Sequence, residues 1–132
     1  MNFLLTGGAG YIGSHAALSL LDAGHNVHII DNLSTGNESL IPKNAFFTNC
    51  NISDEKVISE LIKSNSFDLL MHFAGFIQVE ESVKYPQKYF DNNTENATKL
   101  FETCKNNGLN KIVFSSTAAA YGSVSENKLI DE

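Results

Sequence analysis

Short apolar runs alternate along this chain with longer stretches in which apolar residues recur at helical spacing. Residues 3–6 (Phe-Leu-Leu-Thr) read as a buried strand, because the run is short, apolar and cut off by glycines. Ile12, Ala16, Leu20 and Leu21 then share one face of a helix predicted from residue 11 to about residue 23, with Gly24 placed to end it. Residues 27–31 form a second predicted strand, with Asp31 at its C-terminal end, and residues 32–42, rich in Ser, Asn and Gly, read as loop. A weaker strand is predicted over 45–50. Ser53 or Asp54 then caps a helix carrying Val57, Ile58, Leu61 and Ile62 on one face. Residues 67–72 are the next strand and run into Phe73-Ala74-Gly75. A long helix is predicted from near Pro86 to near Gly108, then a strand over 111–115, with the remainder as loop.

Strands alternating with helices predict βαβ units and a parallel sheet. Right-handed crossovers make this an α/β, Rossmann-like doubly wound fold, expected as one domain over residues 1–132. Ligands of such sheets lie across the carboxyl ends of the strands, where strand order reverses. Residues 7–13, Asp31, 73–75 and 115–117 all directly follow predicted strands, so the topology gathers them at one end.

Composition narrows the function classes. Hydrophobic residues make up 42% of the 132 residues, enough for a real core, and no apolar run nears the roughly 20 residues of a membrane span. The start lacks the features of a signal peptide, so the chain is expected to be cytoplasmic, without membrane partners. A net charge of −6 with no basic cluster argues against nucleic-acid binding. Cys50 and Cys104 have no metal-ligand spacing and read as reduced packing residues, and no metal is expected.

The chemistry begins at Thr6-Gly7-Gly8-Ala9-Gly10-Tyr11-Ile12-Gly13. Gly8, Gly10 and Gly13 have the dinucleotide-binding spacing, and Gly7, Gly10 and Gly13 the variant used by short-chain dehydrogenase/reductase proteins. Such a turn lets the backbone approach a pyrophosphate, while the helix behind it offers unpaired N–H groups and a positive dipole end. Asp31 lies 18 positions beyond Gly13 at a strand end, where a carboxylate accepts ribose hydroxyls and repels a 2′-phosphate. The expected cofactor is therefore NAD rather than NADP.

These segments, together with Asp31-Asn32-Leu33-Ser34, His72-Phe73-Ala74-Gly75, Glu81-Ser82-Val83, Tyr89-Phe90-Asp91-Asn92-Asn93 and residues 114–122 (Phe-Ser-Ser-Thr-Ala-Ala-Ala-Tyr-Gly), resemble the N-terminal part of the UDP-glucose 4-epimerases, extended short-chain dehydrogenase/reductases. The resemblance runs in order over the whole chain. It implies that Tyr11 and Ile12 meet the pyrophosphate through their backbone, and that Asp31, Asn32, Leu33, Ser34, Thr35 and Gly36 surround the adenosine ribose. Asn51 and Ile52 would flank the adenine, where the family more often has Asp-Ile; the neutral Asn51 amide can still hydrogen-bond the base. Phe73, Ala74 and Gly75 would line the path to the nicotinamide ribose, with Asn92 reaching in from the long helix, and Ser115 would also belong to the cofactor site. Thr117 would sit beside a UDP-sugar substrate and orient or relay the proton of its 4-hydroxyl. Ala118-Ala119 stand where the related dehydratases carry an acid pair, which argues against dehydration.

The family's catalytic base is a tyrosine in a Tyr-x-x-x-Lys motif, and none occurs here: Tyr85 and Tyr121 lack the following lysine. The chain is thus expected to be an N-terminal fragment of an NAD-dependent isomerase, incomplete at the C-terminal side of its sheet and without the sugar-binding domain. Its last strand should then present an open edge. A non-catalytic NAD-binding module, or another extended family member acting on a nucleotide sugar, is the alternative. The resemblance implies a homodimer for the longer protein, an expectation that does not carry to this chain. The four histidines and the Glu80-Glu81 pair read as structural or solvated groups.

Overall fold

In the computed structural model, which describes residues 1–122, five parallel strands form one sheet: β1 (Asn2–Thr6), β2 (Asn26–Asp31), β3 (Phe46–Asn49), β4 (Leu69–His72) and β5 (Ile112–Phe114). Their spatial order is β3-β2-β1-β4-β5, so the chain winds outward from β1 in one direction, then crosses back to build the other half. The switch point falls between β1 and β4. This is the doubly wound arrangement that the alternating pattern predicts. Part of the loop expected after the last strand, residues 123–132, lies outside the described residues.

Alternation along the strands feeds two cores. Leu4, Ile30 and Leu70 point to one face and pack with Ile58 and Ile62 of α2 (Glu55–Ser64) and with Leu100 and Cys104 of α5 (Asn96–Asn106). Phe3, Leu5, Val27 and Ile29 point to the other face and meet Ala17 of α1 (Tyr11–Asp22). Asp54 caps α2 as expected, its Oδ1 accepting the Val57 N–H at 3.2 Å.

The long predicted helix runs from Pro86 to Asn106, close to its expected ends, and the structure differs inside it and just before it. A short α3 (Val79–Lys84) is followed by α4 (Pro86–Phe90), a π turn over Asp91–Glu95, and only then α5. Pro86 opens α4 and holds Tyr85 out of helical geometry, which separates α3 from α4. The π turn falls on Asn92-Asn93, whose amides bond across and along the chain rather than supporting the helix. At the far side of the sheet, β5 forms an edge among the described residues, with Ile112, Val113 and Phe114 exposed by 38–56%. This is the open edge expected of the last strand.

Candidate functional site

The β1–α1 loop closes on itself. The Gly10 N–H donates to the Gly7 carbonyl at 3.1 Å, and the Ser14 N–H to the Gly10 carbonyl at 3.0 Å, starting the helix. Gly7 adopts φ +73°, and a Cβ there would lie 2.6 Å from the Ala74 backbone nitrogen, so the loops after β1 and β4 touch at the switch point. A Cβ on Gly13 would collide with the Gly7 carbonyl oxygen. Only hydrogen fits between the helix and the turn. Among the described residues the Tyr11, Ile12 and Gly13 N–H groups have no protein acceptor, and Gly10 caps the helix without a side-chain bond. Three free donors at the positive end of a three-turn helix form a seat for an anion such as a pyrophosphate. The Tyr11 and Ile12 side chains point outward and are largely exposed.

Asp31 stands beside this seat. It is 9% exposed; its Oδ2 accepts the Ala9 N–H and its Oδ1 the Leu33 N–H, both at 2.9 Å. One carboxylate thereby joins the glycine loop to the segment after β2. Each oxygen keeps acceptor capacity for a ligand hydroxyl. The Asn37 N–H, donating to the Ala9 carbonyl at 2.9 Å, makes the same connection a second time. Between these bonds the chain turns through Leu33 at φ +57° and brings Gly36 so close that a Cβ there would be 2.8 Å from the Ala9 Cβ. Ser34 and Thr35 are exposed at the tip of this turn.

Asn32 links outward. Its Oδ1 accepts the Ser34 N–H at 3.0 Å and its Nδ2 donates to Asn51 Oδ1 at 2.7 Å. Asn51 is exposed at the end of the β3 side, whereas the Ile52 side chain is 8% exposed and belongs to the core, leaving its backbone for any neighbour.

Across the switch point, the Phe73 N–H donates to the Thr6 carbonyl and the Ser115 N–H to the His72 carbonyl, each at 3.0 Å. These bonds carry the sheet ladder one residue beyond the strands and hold residues 73–75 and 115 level with the glycine loop. Beneath them, Thr6 Oγ1 and His72 Nδ1 hydrogen-bond at 2.6 Å, both side chains buried. The His72 ring is stacked on Phe114 and meets Phe101 edge-on, and burial pushes its pKa down to about 4, so it is neutral at pH 7. Thr117 is exposed and accepts the Ala119 N–H at 3.2 Å, which fixes its hydroxyl at the start of a short turn over Ala118–Tyr121.

Asn92 is half-buried in the π turn and donates to Asn93 Oδ1 at 2.8 Å. Asn93, absent from the sequence-derived site, holds both backbone groups of Phe76: its Oδ1 accepts the Phe76 N–H at 2.8 Å, and its Nδ2 donates to the Phe76 carbonyl at 2.9 Å. Two consecutive asparagines inside a helical pattern were the signal that could have found it. Glu81, read as solvated, ties α3 to α4: it accepts from Lys88 Nζ at 2.7 Å and from the Tyr89 hydroxyl at 2.8 Å, and these bonds hold its carboxyl below its ordinary pKa.

The model of the NAD dependent epimerase/dehydratase family matches residues 3–132. The chain belongs to that family. It is 46% identical over 122 residues to the UDP-glucose 4-epimerase of Lacticaseibacillus casei, a match covering 92% of this chain and 37% of the relative. A UDP-arabinose 4-epimerase of Arabidopsis thaliana is 41% identical over 128 residues, 90% of this chain and 30% of the relative. Among solved structures, the UDP-glucose 4-epimerase of Thermus thermophilus in complex with NAD superposes with a TM-score of 0.92 at 35% identity, over 100% of this chain and 43% of that one. The chain thus spans about two-fifths of the length of such family members. Two of these relatives act on different sugars by name and both match this same part, so the part is shared across epimerases of different sugar choice.

Proposed function

We propose that this chain is the NAD-binding part, one domain over residues 1–132, of an NAD-dependent UDP-glucose/UDP-galactose 4-epimerase. The observation that carries the reading is that three N–H groups at the α1 N-terminus, without an acceptor among the described residues, share the strand-end loops with the Asp31 carboxylate, which is bonded to the same glycine loop at Ala9. The first suits a pyrophosphate and the second an unphosphorylated ribose. In this reading the adenosine lies over Asn32, Leu33, Ser34, Thr35, Gly36, Asn51 and Ile52, and the nicotinamide half toward Phe73, Ala74, Gly75, Asn92 and Ser115, an assignment in keeping with the strand order β3-β2-β1-β4-β5. When bound, NAD supplies a hydride acceptor for transient oxidation at the sugar C4, and returns the hydride afterwards.

In this reading the chain's own residues bind and orient. Gly7, Gly10 and Gly13 admit the pyrophosphate, Asp31 rejects a 2′-phosphate, and the Thr117 hydroxyl orients the sugar 4-hydroxyl. The deprotonating group must come from outside these 132 residues, since they hold no Tyr-x-x-x-Lys. Calorimetric titration of the purified chain tests the assignment: NAD binds, and NADP binds at least about tenfold more weakly because its added phosphate meets the Asp31 carboxylate. No NAD binding, or equal binding of the two, overturns it. The same preparation should not turn over UDP-galactose.

A further inference from the structure

The geometry points to Asn93 as a positioning residue that fixes the nicotinamide side of the site by clamping the loop after β4, an inference resting on the NAD reading above. The loop that leaves β4 has the ladder bond at Phe73 and the contact of Ala74 with Gly7, and beyond these it needs something to set its course. Asn93 supplies it. One amide satisfies the N–H and the C=O of a single residue, Phe76, so the backbone is held at two points and its peptide planes cannot rotate independently. The amide comes close enough to the preceding residue that a Cβ on Gly75 would lie 3.5 Å from Asn93 Oδ1.

The surroundings lock the clamp. Asn92 donates to the same Oδ1, which fixes which end of the Asn93 amide is the acceptor. The Phe76 ring lies 5.5 Å from the Tyr89 ring, with Lys88 Nζ 4.8 Å from its centroid, and Glu81 holds both Lys88 and Tyr89. The π turn at Asp91–Glu95 is the backbone feature that brings both asparagines to this side of the helix. A π turn inserts one residue into the helical register and gives up ordinary helical hydrogen bonding, a cost that a functional placement offsets. By contrast, the adenosine side of the site is held by Asp31 and Asn37, which do not contact this clamp. Loss of Asn93 should therefore act on one half of a dinucleotide only.

The test compares NAD with ADP, which carries the adenosine and diphosphate but no nicotinamide. In the full chain, Asn93→Ala removes both bonds. Asn93→Asp is isosteric, keeps the bond from the Phe76 N–H and sets a carboxylate oxygen against the Phe76 carbonyl. Each variant is expected to weaken NAD about 5–20-fold, the effect of one to two hydrogen bonds, while ADP affinity stays within about twofold. NAD affinity unchanged in a folded variant, or ADP affinity falling in step with NAD, overturns the inference, the second outcome marking a merely structural role. If Asn93→Ala melts below the working temperature, Asn93→Asp decides. Failure of the unaltered chain to bind NAD is a different result, and overturns the NAD reading together with the clamp's assignment.

Discussion

On the β2–β3 side of the switch point the loops hold one another, whereas on the β4–β5 side they are held from outside the sheet. Ala9, Leu33 and Asn37 are joined to Asp31 or to each other by three bonds at 2.9 Å, all made within the glycine loop and the segment after β2. The loop after β4 depends instead on an amide from a helical segment 17 residues later in the chain. Its outer neighbour β5 has three residues, all exposed, while β1 and β2 supply six of the eleven largest fully buried side chains. One half of the site is thus preorganised by short-range backbone bonding, and the other takes its shape from tertiary packing. A rigid half, proposed above to seat pyrophosphate and ribose, paired with a separately held second half suits a fold whose binding end is constant and whose reacting end varies.

The sharpest way to break the self-held half is Gly13→Ala. The new methyl would collide with the Gly7 carbonyl oxygen, a backbone atom with no room to yield, so the helix must move off the turn. NAD affinity should fall by about 100-fold or more, corresponding to roughly 3 kcal/mol of overpacking. Near-normal binding by calorimetry would show that the turn yields. Next in size, Asp31→Ala leaves the buried Ala9 N–H and the half-buried Leu33 N–H without their acceptor. Chemical denaturation should show a loss of about 2–3 kcal/mol, with a narrowed NAD/NADP preference. An unchanged preference would mean that the carboxylate only braces the loop.

These two residues also mark what the sequence made legible. Glycine spacing and an acid at a strand end are local patterns, so both halves of the seat can be read from them, as can five strands from their apolar runs. The π turn inside the long helix could not, because Asn92 and Asn93 turn their side-chain amides to partners that include Phe76, distant in sequence. Apolar periodicity continues across the π turn, and Pro86 marks the helix start where the structure also has it. For the same reason Asp31 was legible as an acid at a strand end but not as the strut that reaches Ala9, a contact 22 residues away that only the folded loop creates. Residues that bond across elements carry no periodic signature.

A subtler comparison of the halves comes from pH. His72 lies under the switch point with its pKa pushed from the ordinary 6.5 to about 4 by burial. The folded state then binds fewer protons than the unfolded chain between those values. Its contribution is fully present above pH 6.5 and declines as pH falls toward 4, by about 1.4 kcal/mol one unit below 6.5. His28, on the other side, is shifted in the same direction by its own partial burial. His72→Gln separates the two: melting followed from pH 8 to pH 5 should lose most of its acid sensitivity. An unaltered pH profile would assign that sensitivity elsewhere.

The smallest effect on stability belongs to β5. Phe114 stacks on His72 and meets Phe101 edge-on, so Ile112 and Phe114 face the α5 side, and Val113 points to the opposite face, where it is 45% exposed. Val113→Lys removes little buried area and should shift unfolding free energy by no more than about 0.5 kcal/mol. Its consequence lies between molecules: an apolar edge strand is a template for a second chain, and a lysine there opposes pairing through charge. Light scattering during concentration should fall in the variant while the NAD titration is unaltered, because Val113 is not among the groups proposed to hold the cofactor. Scattering that persists would move the sticky surface from the β5 edge to the exposed apolar residues of α3 and α4, Val79, Val83 and Phe90, and leave the open edge without consequence in solution.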